Sequence, residues 1–109
     1  MSGMEDRERA FENKFAHDAE LKFKAEARRN RLLGRWAAEQ LGLGADEADA
    51  YVKDVMKADF EEAGDDDVLR KVSADFSARG VGIDDTELRR KMDQLLAEAV
   101  ENVEAERKS

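Results

Sequence analysis

The chain contains no cysteine and no proline, and it is poor in the residues that favour β-structure. The absence of cysteine excludes disulfides, thiol chemistry and every cysteine-based zinc site. Valine, isoleucine and threonine number seven, one and one among 109 residues, which is too few to build a sheet. Alanine, by contrast, occurs 17 times. These counts predict an all-α fold.

Histidine and long apolar runs are also scarce. The one histidine, His17, excludes two-histidine catalytic schemes and most transition-metal sites. It is interpreted as a surface residue, with a pH-sensitive position in a binding segment as the alternative. No apolar run approaches the ~18 residues of a membrane span, and the acidic start is unlike a secretory signal. We therefore expect a cytoplasmic protein that is not embedded in the membrane and is not an enzyme.

The net charge of −8 is unevenly distributed along the chain. Residues 1–41 carry nine basic and eight acidic side chains, a net charge of +1, and residues 42–109 carry ten and nineteen, a net charge of −9. The field of a strongly acidic region repels nucleic acid. The sequence therefore predicts no nucleic-acid partner.

Glycines divide the chain at three places, residues 42–44, residue 64 and residues 80–82. Apolar residues recur at helical spacing between these interruptions. The pattern predicts four helices packed as a small four-helix bundle, with approximate bounds 19–41, 47–63, 66–79 and 85–105.

Local signals support these helix ends. Asp46 is a candidate N-cap for the second helix. Gly80 is expected in the left-handed conformation that ends the third helix, with Val81 packing back as in a Schellman motif. Asp84 and Glu87 form a capping box for the fourth helix. Gly34, inside the first helix, predicts a close approach between two helices.

Residues 1–18 differ from the bundle in composition. Phe11, Phe15, Ala19 and Phe23 recur every four residues on one stripe, among paired charges and few aliphatic neighbours. A helix that included this stripe would extend well beyond the other three. We predict that residues 1–18 are frayed or disordered when free and become helical on a partner's groove. The alternative is that these rings simply begin the first helix and lie in the core.

Two charged clusters are further candidates for binding. Arg28, Arg29 and Arg31 are a candidate docking face or a contact for the phosphates of ADP or ATP, although no glycine-rich phosphate loop is present. The acidic run at residues 65–67 lacks the ligand spacing of a calcium loop, so it is interpreted as a helix N-terminus. No metal site and no obligatory cofactor are predicted.

Three segments of the sequence resemble one known family. They are residues 6–18 (DRERAFENKFAHD), 23–30 (FKAEARRN) and 32–38 (LLGRWAA). They are similar to the zeta subunit family, the inhibitors of the F-type ATP synthase in alphaproteobacteria. The resemblance covers nearly the whole chain and is densest over residues 6–43.

The resemblance implies a four-helix bundle with a mobile N-terminal inhibitory segment. In the family, this segment enters a catalytic α/β interface of the ATP synthase head, contacts the central-stalk γ subunit, and blocks hydrolysis while leaving synthesis largely free. Carried onto this sequence, Phe11 and Phe15 would be the anchors. The polar contacts would come from Arg7, Glu8, Arg9, Glu12 and Lys14.

These considerations leave two hypotheses. The first is a cytoplasmic regulatory protein, monomeric when free, that inhibits ATP hydrolysis by the membrane-bound ATP synthase. The second is a ligand-binding helical bundle that senses nucleotide through Arg28, Arg29 and Arg31.

Overall fold

The computed structural model describes residues 19–59 and 65–108. It contains four helices, α1 (Ala19–Gln40), α2 (Ala45–Ala58), α3 (Asp66–Arg79) and α4 (Asp85–Lys108), and no strand within those ranges. The all-α class and the four-helix organisation are confirmed. The predicted inhibitory segment, residues 1–18, lies outside the described residues. The division into that segment and a bundle at 19–109 therefore stays a prediction.

Helices α1 and α3 each end at a glycine in the left-handed conformation. Gly80 has a φ of 71°, and the Val81 N–H donates to the Phe76 carbonyl at 2.9 Å, so the predicted Schellman motif is confirmed. Gly42 has a φ of 73°, and the Leu43 N–H donates to the Ala38 carbonyl at 3.0 Å. Glycine suits both positions because it has no Cβ to clash in the left-handed region.

Of the two predicted N-cap residues, the one for α4 is confirmed and the one for α2 is wrong. The predicted N-cap of α4 is confirmed, since Asp84 Oδ1 accepts the Glu87 N–H at 2.8 Å. The prediction for α2 was wrong. Its N-cap is Gly44, whose extended backbone starts the helix at Ala45 without a side-chain cap. Asp46 instead lies in the first turn, where its charge complements the helix dipole.

Two predicted helix ends also require correction. Helix α2 ends at Ala58 and not at residue 63, with Asp59 as its C-cap. Residues 60–64, including Gly64, lie outside the described residues. Helix α4 continues to Lys108, past the predicted end at Ala105. Contacts with α1, described below, hold this last turn.

The main core lies where α1 meets the other three helices. Its fully buried side chains include Leu33, Val55, Phe76, Leu88 and Met92. Half-buried Trp36 packs at its edge, with a ring centroid 5.8 Å from that of Phe76 in a T-shaped arrangement. Such burial and ring contacts are the main source of a small domain's stability.

Gly34 brings α1 close to α2, as predicted. A Cβ added to Gly34 would lie 2.9 Å from the Cα of Val52 and 3.1 Å from its Cγ2 atom. Any larger residue would push the two helices apart. The glycine therefore fixes the spacing of α1 and α2.

A second, smaller apolar cluster joins the first half of α1 to the last turns of α4. Ala25, Ala99 and Val103 are buried in it, and Leu21 packs against them. Arg28 adds an ion pair with Glu106. These contacts explain why α4 stays helical beyond residue 105. None of the helices in the described ranges is long and apolar enough to cross a membrane.

Candidate interaction surface

Most of the predicted contact residues belong to the N-terminal segment. Arg7, Glu8, Arg9, Phe11, Glu12, Lys14 and Phe15 all lie in residues 1–18, outside the described part of the chain. Phe23, the last phenylalanine of the same stripe, is described. Its side chain is 65% exposed, and it is the one large apolar side chain so exposed among residues 19–59 and 65–108. The core therefore does not use this ring.

Phe23 lies at the mouth of a shallow groove between α1 and the end of α2. The groove, called here the Phe23 groove, is lined by Phe23, Glu26, Ala27, Asn30, Met56 and Asp59. It exists because the two helices differ in length. Helix α1 has 22 residues and α2 has 14, a difference of about 12 Å at ~1.5 Å per residue. Phe23, near the start of α1, therefore lies beside the end of α2, where Met56 contributes to the lining.

The opposite face of α1 is covered by α4. Leu21 and Ala25 pack in the small α1–α4 cluster. At about 100° per residue, Phe23 is about 160° around the helix axis from both of them. Helix α1 therefore has one face against α4, and in the described part of the chain the ring of Phe23 is exposed on the other side.

The arginine cluster is divided between different environments. Arg28 forms a bidentate pair with Glu106, at 2.6 and 3.0 Å. The hydrogen bond from Arg28 lowers the pKa of the Glu106 carboxyl, and the same bond raises the pKa of Arg28. Arg31 is exposed on α1.

Arg29 is buried and belongs to an ion-pair network, here called the Asp65 network, of Arg29, Asp65, Asp66 and Arg89. Its exposed fraction is 2%. Its Nε donates to Asn30 Oδ1 at 2.8 Å, and a terminal nitrogen donates to Asp65 Oδ2 at 3.1 Å. Arg89 donates to Asp65 Oδ1 at 2.7 Å and to Asp66 Oδ1 at 2.8 Å. The network ties α1 and α4 to the start of α3.

The pKa of the Asp65 carboxyl reflects its arginine partners. Burial acts to raise the pKa of Asp65, but the hydrogen bonds and charges of Arg89 and Arg29 outweigh it, so the pKa is lowered. The carboxylate is thus ionised and balances two guanidinium groups. Because Arg28 and Arg29 are engaged with carboxylates of the chain itself, the structure lends no support to a shared phosphate-binding face.

The acidic run at residues 65–67 begins α3, as predicted. Asp65 is the N-cap residue, and Asp66 and Asp67 lie in the first turn. Within the described ranges, no group of three or more potential ligands could hold a metal ion. Carboxylates at this position complement the positive end of the helix dipole.

A polar link between α2 and α3 was not predicted from the sequence. The Tyr51 hydroxyl donates to Asp75 Oδ2 at 2.8 Å, and Lys71 Nζ lies 2.9 Å from the same oxygen. Burial, followed by the hydrogen bond to Asp75, raises the pKa of Tyr51. Spacing could have suggested the i, i+4 pair of Lys71 and Asp75, but not the tyrosine, which is 24 residues away from Asp75.

Over the described residues, the fold and this surface define a small helical protein with an exposed aromatic ring at the edge of a surface groove. The sequence model of the family described as ATPase inhibitor subunit zeta matches residues 1–102. The chain therefore belongs to the zeta family of ATPase inhibitors. It is a regulatory protein and not an enzyme.

A solved structure supports the fold. A protein whose solution NMR structure is known is 49% identical to this chain, and the match has a TM-score of 0.69. The match covers 79% of this chain and 98% of the other. Among curated proteins, no similar sequence was found.

Proposed function

We propose that the chain inhibits ATP hydrolysis by the F-type ATP synthase by inserting residues 1–18 into a catalytic α/β interface of the enzyme's head. The observation that carries the proposal is the extent of the family match, which begins at residue 1 and so includes this segment. The aromatic stripe adds support, because its described member, Phe23, is exposed and not part of the core.

Phe11 and Phe15 are the anchors in this proposal. Arg7, Glu8, Arg9, Glu12 and Lys14 make the surrounding polar contacts with the α, β and central-stalk γ subunits. Buried aromatic anchors dominate the binding energy of interfaces, and exposed charges contribute less. The bundle docks outside the interface, on the cytoplasmic side of the membrane, and the free protein is a monomer.

Such an inhibitor needs no chemistry of its own. The catalytic interfaces of a rotary ATPase pass through several conformations during turnover. A segment that binds one of them much more tightly than the next holds the enzyme in that state. Its inhibitory power is limited by this difference in affinity, about 1.4 kcal/mol for each factor of ten.

The test is an assay of ATP hydrolysis by inhibitor-depleted ATP synthase heads from the same source, with increasing concentrations of the purified protein. We expect inhibition by the full chain and loss of inhibition when residues 1–18 are deleted. The double variant Phe11→Ala/Phe15→Ala should lose much of the inhibition. Asn13→Ala is the matched control, since residue 13 lies between the two rings but off their stripe.

Two results would contradict the proposal. If the deletion of residues 1–18 unfolds the bundle, measured by circular dichroism, the phenylalanines are core residues and not anchors. If the deletion variant is folded and inhibits as well as the full chain, the inhibitory site is on the bundle. A peptide of residues 1–18 should inhibit more weakly than the whole protein, because the docked bundle raises the local concentration of the segment.

A further inference from the structure

The Phe23 groove is the open continuation of the α1–α2 interface. Gly34 and Val52 mark a close approach of the two helices. Toward the start of α1, the lining passes from Asn30 and Met56 to Ala27 and then to exposed Phe23. Among the described residues, the groove therefore has an apolar stretch of Phe23, Ala27 and Met56, which extends toward the start of α1.

We propose that the Phe23 groove is a docking surface for the ATPase itself, so that contact with the enzyme continues from the N-terminal segment onto the bundle. This inference rests on the proposed function and adds a partner surface to it. The occupant is an aliphatic or aromatic side chain on the enzyme's head, flanked by lysine or arginine.

The chemistry of the lining defines that occupant. The exposed ring of Phe23 lies beside Ala27 and Met56, and the thioether of a methionine adapts readily to a partner's shape. Glu26 and Asp59 provide the carboxylates of the lining. An apolar centre with an acidic edge complements an apolar side chain with basic neighbours.

The position of the groove on α1 also favours the enzyme over other occupants. Phe11, Phe15, Ala19 and Phe23 follow one another at intervals of four residues. In a continuous bound helix, each interval turns the stripe by only about 40°. From Phe15 to Phe23 the stripe turns by about 80° over roughly two helical turns, so an enzyme surface that holds Phe15 can extend around the helix to Phe23.

The test compares inhibition of ATP hydrolysis by the full-length protein and its Phe23→Ala variant, using inhibitor-depleted heads. We expect Phe23→Ala to raise the half-inhibitory concentration at least about tenfold, as for a central aromatic anchor. Its thermal unfolding should be unchanged, since the ring is 65% exposed. Lys24→Ala, an exposed neighbour on α1, is the control and should inhibit like the parent.

A charge reversal tests the acidic edge separately. Glu26→Lys should weaken inhibition about three- to tenfold, with a larger effect at low salt, because it repels the basic neighbours of the occupant. Glu39→Lys makes the same change of charge at an exposed site near the other end of α1. It should leave inhibition unchanged.

The outcomes distinguish this inference from the proposed function. If the parent protein does not inhibit, the proposed function fails. If the parent inhibits and Phe23→Ala inhibits equally well, the docking surface is refuted and the proposed function stands. The NMR spectrum of the free protein is compared with that of the free double variant Phe11→Ala/Phe15→Ala. If the Met56 methyl resonance shifts between them, the chain's own N-terminal segment occupies the groove and the proposal is overturned. A dimer of the free protein that Phe23→Ala dissociates would also overturn it.

Discussion

Replacing Asp65 with asparagine removes the carboxylate that balances the buried guanidinium of Arg29. Breaking a buried ion pair by removing one partner costs about 3–5 kcal/mol, because the other charge remains buried and uncompensated. Here the side chain of Arg29 is 3% exposed but that of Asp65 is 31% exposed, and Arg29 keeps its hydrogen bond to Asn30. Solvent screening therefore lowers the expected loss in the free energy of unfolding to about 2–3 kcal/mol.

The neighbouring residue provides a matched control. Asp66 also pairs with Arg89, but its side chain is 75% exposed and it does not pair with Arg29. Asp66→Asn should cost no more than about 0.5 kcal/mol. Urea unfolding followed by far-UV circular dichroism measures both variants. The midpoint for Asp65→Asn should fall by on the order of 2 M, with an unchanged m-value.

A double-mutant cycle isolates the pair. In Arg29→Met the charge is replaced by an apolar chain, so adding Asp65→Asn should cost less than it does in the parent protein. The coupling energy should exceed about 1 kcal/mol. Equal losses for Asp65→Asn and Asp66→Asn, within about 0.5 kcal/mol, would refute the reasoning that Asp65 holds a buried charge.

Three further perturbations test other parts of the structure. Because the folded-state pKa of Asp65 is lowered, its stabilising contribution is present above the ordinary aspartate pKa of about 3.9 and is lost as the pH falls through the lowered value. Stability should therefore fall more steeply with acid in the parent protein than in Asp65→Asn. Phe76→Ala removes a ring that is 1% exposed and should cost about 3–5 kcal/mol in urea unfolding; a loss below about 1 kcal/mol would show that α3 is peripheral. Gly34→Ala places a methyl group 2.9 Å from the Val52 Cα, so strain should exceed the helix-propensity gain of about 1 kcal/mol and lower the melting temperature. Gly82→Ala, where an added methyl meets open space, should not lower it.

The helices could be predicted from the sequence because their signals are local. The Gly80 turn and the Asp84 cap each depend on residues within one turn of the helix end, and both are confirmed. The end of α4 was not predictable in this way. Its last turn is held by Glu106, whose partner Arg28 is 78 residues away.

The candidate surface was only partly predictable for the same reason. Helical spacing identified Phe23 as part of a stripe, and the structure shows that its ring is exposed. The pairing of Arg29 with Asp65 joins residues 36 apart and depends on how α1 packs against α3. The packing of α1 against α2 brings Met56 and Asp59 beside Phe23, which no pattern within α1 could reveal.

The small α1–α4 cluster has a mechanical consequence. A pull on the chain upstream of Ala19 first loads the start of α1, which Leu21 and Ala25 hold against Ala99 and Val103. These are mostly small side chains with few dispersion contacts to break. Under tension, α1 should therefore peel from α4 in this region before the larger core yields, so that the start of α1 acts as a compliant joint and not as a rigid rod.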